Sequence, residues 1–110
     1  MKYKIQFTGP AKHDLEAVTK YITEELKNKD AAKNLVLLSR EAAFSLEEMP
    51  SRNALVRDEA LAGQGLRLLP VRNYLIFYVV REEAKTVTIE RFLYGRRDWM
   101  NILKAEAPTE

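Results

Sequence analysis

One uninterrupted apolar run, YLIFYVV at residues 74–80, constrains the fold more than any other feature of the chain. The run is far shorter than the roughly 18 residues of a membrane span. A continuous apolar run of this length is typical of a strand that is covered on both faces. It therefore predicts the central strand of a β-sheet, and the rest of the chain has to supply the neighbouring strands and the covering layers.

Two further predicted strands flank this run. LRLLPV at residues 66–71 precedes it, and TVTIERFLY at residues 86–94 follows it after the turn REEAK. Three successive strands with short connections form an antiparallel meander. Pro70 has no N–H to donate to a neighbouring strand, so the first of the three is predicted to lie at an edge of the sheet or to end there.

The N-terminal half of the chain predicts the covering layer. YKIQFT alternates apolar and polar residues, as a strand does. Apolar residues then recur at spacings of three and four in two stretches, as in helices. Pro10 lies near the start of the first stretch, and Pro50 lies at the end of the second. The short segment NKD joins the stretches as an antiparallel helix hairpin, and Asp30 is a candidate cap of the second helix.

The predicted fold is α+β with the element order β-α-α-β-β-β-α, in one domain spanning residues 1–110. The N-terminal helix hairpin packs on a mainly antiparallel, twisted sheet, and DWMNILK forms a short C-terminal helix. The other face of the sheet is expected to be partly open, because antiparallel sheets can leave one face to solvent. Residues 51–65 are predicted to form a loop with a short helical turn at RDEALA.

The composition excludes several kinds of chemistry. The chain has no cysteine, which removes thiolate catalysis, cysteine-ligated zinc and disulfides. AGQGLR lacks the lysine of a phosphate-binding loop, and no HExxH or GxSxG motif occurs. We therefore predict neither a metal nor a cofactor. No segment resembles a secretory signal, so a cytoplasmic protein without membrane contact is expected.

Arginines concentrate in the second half of the chain, where seven of the nine lie after residue 55. Strict alternation along the last strand places Arg91 on one face together with Val87, Ile89 and Leu93. An arginine on a mostly apolar face must meet a carboxylate, reach the edge of the sheet or face a binding site.

Two hypotheses account for the arginines of the last strand. In the first, Arg91 joins Arg67 and the pair that follows the strand, Arg96 and Arg97, in a surface for a phosphate backbone or an acidic peptide. In the second, Arg91 forms a salt bridge and the following pair is simply solvated. The candidate carboxylates for that salt bridge are those of Glu90, Asp98 and Glu59.

Three aromatic side chains are weaker candidates for a site. His13, the only histidine, lies in the first turn of the first helix, where a solvated side chain is expected. Tyr94 is expected to be half buried with its hydroxyl at the rim of the core. Trp99 begins the last helix and is expected to dock that helix on the sheet.

Three segments, DLEAVTKYI, NYLIFYVV and VTIERFLYGRRDWMNIL, resemble in order and spacing the RelE/ParE superfamily of bacterial type II toxins, which includes plasmid-stabilisation proteins. The resemblance covers nearly the whole chain and implies the fold order reached above. Family members use the open sheet face and the strand ends for their target, and an antitoxin covers this region or its surroundings. The residues that would face the target or the antitoxin are Arg67, Arg72, Arg91, Tyr94, Arg96 and Arg97.

The resemblance leaves three functions open. ParE-like members inhibit growth by poisoning DNA gyrase and are not nucleases, whereas RelE-like members cut messenger RNA on the ribosome. By alignment, a nuclease arginine and a nuclease tyrosine fall on Leu75 and Leu103, and Arg97 matches a third nuclease position. The remaining catalytic candidates are Glu90 and Tyr94. We therefore favour the ParE-like activity, with the messenger RNA endoribonuclease as the alternative and a non-toxic binding module of this fold as the second.

The partners implied by the resemblance follow from these functions. They are a cognate antitoxin, and as target either DNA gyrase or the ribosome with its messenger RNA. A homodimer and a heterotetramer with the antitoxin are both assemblies that such a toxin could form.

Overall fold

The structure is a computed structural model and describes residues 2–106. Its elements confirm the predicted order β-α-α-β-β-β-α and add a short helix where a helical turn was predicted. The elements, in chain order, are β1 (Lys4–Phe7), α1 (Gly9–Glu24), α2 (Lys29–Ser45), a 3-10 turn (Pro50–Arg52), α3 (Glu59–Gly63), β2 (Leu66–Val71), β3 (Tyr74–Arg81), β4 (Thr86–Tyr94) and α4 (Trp99–Glu106).

The four strands form one sheet in the order β1-β4-β3-β2. β3 is an inner strand, as the continuous apolar run predicted. It pairs antiparallel with both β2 and β4, whereas β1 pairs parallel with β4. β2 lies at an edge of the sheet, and Pro70 is exposed there, where its missing N–H removes no pairing within the sheet.

The helix hairpin begins where side-chain caps satisfy free backbone N–H groups. The hydroxyl of Thr8 accepts a hydrogen bond from the Ala11 N–H at 3.0 Å and caps α1. The side chain of Asn28, and not that of Asp30, caps α2, and Asp30 instead lies in the first turn of that helix. The apolar faces of both helices pack on one face of the sheet and form the first core.

A second core covers much of the sheet face that was predicted to be open. Its buried members come from β2, β3, β4 and the segments after α2. Trp99 docks α4 here as predicted, with its ring 5.1 Å from that of Phe77. The open part of this face is therefore smaller than expected, because the apolar residues of α3 and α4 find their packing partners on it. The buried residues of the second core are Val56, Leu61, Leu66, Phe77, Leu93 and Leu103.

A β-bulge interrupts β4 at Glu90. Phe77 of β3 lies opposite Arg91, yet the next residue of β3, Tyr78, lies opposite Ile89, so Glu90 has no partner on β3. One extra residue reverses the alternation of side chains beyond it. The strict alternation assumed from the sequence was therefore wrong: beyond the bulge, Phe92 packs in the first core with Ile89, and Arg91 lies on the other side of the strand.

Candidate functional site

Arg91 is held by a carboxylate that the sequence analysis did not identify. Its guanidinium forms two bonds to Asp14 of α1, Nε to Oδ2 at 2.6 Å and Nη2 to Oδ1 at 2.8 Å. The side chains are only 12% and 10% exposed. The predicted salt-bridge partners, Glu90, Asp98 and Glu59, do not include this carboxylate, which α1 supplies from 77 residues away. An acid on the inner side of a helix that directly follows a strand was the available signal.

The bulge and the start of α1 are joined by Thr8. The backbone N–H of Thr8 donates to the Ile89 carbonyl at 3.0 Å, and its hydroxyl donates to the Glu90 carbonyl at 2.8 Å. β1 ends at this point, and the Phe92 N–H of β4 donates instead to Oδ2 of Asp14 at 3.0 Å. The first two turns of α1 thus take over from β1 as the neighbour of β4.

Arg67 also has a structural role. Its Nη1 donates to the Asn53 carbonyl at 2.5 Å and to the Ser51 carbonyl at 3.3 Å, which fixes the loop after α2. Tyr78, its cross-strand neighbour, donates to the Pro50 carbonyl at 2.7 Å in the same loop. Burial raises the pKa of Tyr78. Arg67 and Arg91 therefore do not form the common cluster that the first hypothesis required.

The other three predicted arginines lie in two turns at one end of the sheet. We call this region the basic end and define it as Arg72, Arg96 and Arg97. Arg72 lies in the turn between β2 and β3, and the pair follows the end of β4. These two turns are adjacent, because the Gly95 N–H donates to the Asn73 carbonyl at 2.8 Å. A Cβ on Gly95 would lie 3.1 Å from that carbonyl oxygen, so the close approach favours glycine.

The arginines of the basic end are exposed. Within residues 2–106, none of their three side chains forms a hydrogen bond or an ion pair. Arg72 has a left-handed backbone with φ of 58°, a conformation that most side chains disfavour. The basic end therefore offers three guanidinium groups with no structural task in the part of the chain that the structure describes.

Two tyrosines border the basic end. Tyr94, half buried as expected, meets the ring of Tyr74 edge-on at 5.5 Å, and Tyr74 stacks on Phe92 at 5.1 Å. Burial, with the neighbouring Tyr94 as a second cause, raises the pKa of Tyr74. The Tyr74 hydroxyl is thus neutral at physiological pH, and both rings anchor the strand ends on which the arginines lie.

A groove of about 400 Å³ remains open on the second face, between the start of α1, α3 and α4. Glu90 and Arg91 line it at the bulge, and Arg81 contributes a third charged side chain. Tyr94 does not line it, since its ring contacts Tyr74 on the side of the first core. Glu90 and Tyr94 are also four strand residues apart, roughly 13 Å along β4. The apolar lining of the groove includes Leu61, Leu66, Val79 and Leu103.

Leu75 and Leu103, the positions aligned with nuclease residues, belong to the second core. Leu103 is buried and Leu75 is packed against the same cluster. Neither can move a proton or bind a phosphate. His13 is exposed on α1 as predicted. Residues 2–106 contain no group of three histidine or acidic side chains able to hold a metal ion, and no helix there is long and apolar enough to cross a membrane.

Residues 5–99 match the family described as the ParE toxin of type II toxin–antitoxin systems, parDE. No curated protein sequence matches the chain. Among solved structures, the chain is similar to one of the chromosomal ParDE system of P. aeruginosa, with 20% identity, coverage of 84% of this chain and 96% of that chain, and a TM-score of 0.69.

The chain is also similar to one of the RelBE2 toxin–antitoxin complex of Mycobacterium tuberculosis. That match has 23% identity, covers 86% of this chain and 92% of that chain, and has a TM-score of 0.65. At these identities the two structures show a shared fold, whereas the family match extends over most of the sequence. The protein belongs to the ParE toxin family of type II toxin–antitoxin systems.

Proposed function

We propose that this toxin inhibits growth by acting on DNA gyrase without cleaving nucleic acid, and that a cognate antitoxin neutralises it. The observation that carries the proposal is the separation of the two candidate proton-transfer groups. Glu90 lines the groove of the second face, whereas Tyr94 packs on Tyr74 at the end of the sheet.

Cleavage of RNA by its own 2′-hydroxyl needs a proton acceptor, a proton donor and stabilisation of the phosphate around one reacting centre. A catalytic acid or base must lie within about 3 Å of the atom it serves. Glu90 and Tyr94, roughly 13 Å apart along the strand, do not meet at one phosphate. Arg97 could stabilise charge, but an arginine does not act as an acid or a base at neutral pH.

The second core supports the same conclusion. Leu75 and Leu103 stand where the nuclease alignment places an arginine and a tyrosine, and both pack with Phe77 and Trp99. Polar side chains at these places would have to displace buried apolar contacts. The region that would hold a nuclease site is thus used for attaching α4 to the sheet.

The antitoxin is proposed because the similar solved structures include toxin–antitoxin complexes. The edge strand β2 gives such a partner a place to pair. The preceding segment covers only its beginning, where Leu55 bridges to Arg67 and the Val56 N–H donates to the Leu66 carbonyl at 2.9 Å. The remainder of the edge, from Leu68 onward, can accept an added strand up to Pro70.

Two assays on the purified, antitoxin-free protein test the proposal. We expect inhibition of gyrase supercoiling and intact messenger RNA on ribosomes. The variants Tyr94→Phe and Glu90→Gln, each shown to be folded, are expected to keep toxicity in growing bacteria. If either side chain were a catalytic acid or base, its loss would lower the rate of cleavage by about 10²–10⁴-fold. Codon-specific cleavage of ribosome-bound messenger RNA by the unmodified protein would instead establish the endoribonuclease.

A further inference from the structure

We propose that the basic end binds the phosphodiester backbone of nucleic acid, so that this toxin contacts the DNA held by its target and not the target protein alone. The inference rests on the proposed function for its biological setting, because gyrase acts on DNA. The binding chemistry itself depends only on Arg72, Arg96 and Arg97.

The arginines of this chain differ in whether their side chains have hydrogen-bond partners. Arg52, Arg67 and Arg91 each donate to backbone carbonyls or a carboxylate. The three arginines of the basic end have no such partner within residues 2–106 and are exposed. Each guanidinium therefore keeps its planar set of five N–H donors, which matches phosphate oxygens better than a lysine ammonium does.

Arg72 also has a left-handed backbone. Its φ of 58° lies in the region that glycine adopts readily and a longer side chain adopts at a cost in stability. Glycine would relieve this conformation at the tip of the β2–β3 hairpin. The chain instead places a cation there, directly beside the turn that carries the other two.

The two turns that carry the cations are joined to each other before any ligand arrives. The hydrogen bond from the Gly95 N–H to the Asn73 carbonyl joins the two turns, and the stacked Tyr74 and Phe92 rings anchor the strand ends beneath them. Less conformational entropy of the backbone is then lost when a ligand binds. Tyr94, half buried beside the turn, adds an aromatic surface of the kind that unpaired bases stack on.

The test is fluorescence anisotropy of the purified protein with a labelled duplex DNA, a single-stranded DNA and a single-stranded RNA, from 50 to 200 mM KCl. Neutralising three phosphates gives a slope of log K against log salt of about −2.7 for duplex and about −2.1 for single strands. For the duplex, this slope corresponds to a loss of about 40-fold in affinity over that salt range. The nucleic acid with the highest affinity identifies the form that the site prefers.

A matched pair of double variants provides the control. Arg96→Gln with Arg97→Gln should reduce the duplex slope by about 1.8, since each contact contributes about 0.9. Arg40→Gln with Arg57→Gln removes the same charge from exposed arginines on α2 and before α3, and should leave the affinity within about twofold. Equal losses in the two variants would show that only net charge matters and would overturn the proposal.

Arg72→Gly separates binding from stability. It removes one cation and relieves the left-handed backbone, so the melting temperature should rise, by about 2–5 °C, while the duplex slope falls by about 0.9. Tighter arginine-dependent binding of a polyglutamate peptide than of any nucleic acid would overturn the proposal in favour of an acidic protein segment. Gyrase inhibition without DNA binding refutes this site and leaves the proposed function, whereas DNA binding without gyrase inhibition refutes the function and supports the site.

Discussion

The middle and the end of β4 use arginine in opposite ways. Arg91, in the middle, binds both oxygens of the Asp14 carboxylate through the Nε–Nη2 edge of its guanidinium and is almost removed from solvent. Arg96 and Arg97, only five and six residues later, are exposed and form no side-chain bond within residues 2–106. Arginine thus forms a buried ion pair within the fold in one place and is exposed for binding in the other.

The difference follows from what lies beside the strand at each point. In its middle, β4 has β3 on one side and the start of α1 on the other, so a charge there loses its water and needs a partner. Beyond Tyr94 the chain leaves the sheet, and a charge keeps its hydration. Neighbouring elements, and not the local sequence, therefore decide whether an arginine of this strand is committed to the fold.

The largest effect is expected from Asp14→Ala, which removes the carboxylate that binds the buried Nε–Nη2 edge of Arg91 and accepts from the Phe92 N–H. Breaking a buried pair from one side destabilises by about 3–5 kcal/mol. Urea denaturation should show this loss as a lower transition midpoint. In Asp14→Ala combined with Arg91→Met, much of the loss should be recovered, because neither member of this ion pair then remains buried without the other. A cost below about 1 kcal/mol for the single change would mean that the pair behaves like a solvated one.

A smaller effect is expected from Thr8→Val, which keeps the branched shape and removes the hydroxyl. The variant loses the cap on the Ala11 N–H and the bond to the Glu90 carbonyl. Loss of such a cap costs about 0.5–2 kcal/mol. Thr8→Ser restores the hydroxyl and should recover most of the stability in the same denaturation experiment. Equal losses in both variants would assign the effect to packing and not to the hydrogen bonds.

Acid should loosen the contact between α4 and the start of α3, where Lys104 binds Asp58. The hydrogen bond from Lys104, helped by the Leu61 N–H, lowers the pKa of Asp58 from its usual 3.8. A lowered pKa stabilises the folded state above the unfolded value, and this contribution is lost as the pH falls below 3.8 through the folded pKa. Fluorescence of Trp99, the only tryptophan, reports the docking of α4. Lys104→Met should show a smaller acid-dependent change; identical acid profiles would contradict the assignment.

The smallest effect on stability is expected from Arg96→Ala combined with Arg97→Ala. Solvated side chains without partners contribute little, so the free energy of unfolding should change by less than about 0.5 kcal/mol. Toxicity in a controlled-expression growth assay should nevertheless fall. Full toxicity in a folded double variant would show that the exposed arginines at the end of β4 have no role in toxicity.

Much of the fold could be predicted because its signals are local. The apolar run of β3, the helical spacings and the positions of Pro10, Pro50 and Pro70 identified the elements and their order. The coverage of the second face could not be predicted in the same way. α3 has five residues, and such a short segment becomes helical through its contacts on the sheet more than through its own periodicity.

The site was less predictable because it depends on registers between distant segments. Nothing in the letters VTIERFLY marks Glu90 as a bulge; the extra residue appears only when β4 is aligned with β3. Without the bulge, alternation placed Arg91 on the wrong face. Asp14 was missed for the related reason that its partner lies 77 residues away. The basic end was easier, since Arg96 and Arg97 need no partner to be exposed.

The parallel pairing of β1 with β4 has a consequence for folding during synthesis on the ribosome. The ribosome makes Asp14 long before Arg91, and at about 5–20 residues per second the 77 residues added up to and including Arg91 take about 4–15 s. During that interval the sheet that α1 and α2 cover is incomplete, and β1 lacks its neighbour β4. The fold is completed only when almost the whole chain has been synthesised, so a partner already present in the cell can meet the toxin at the moment it first acquires its shape.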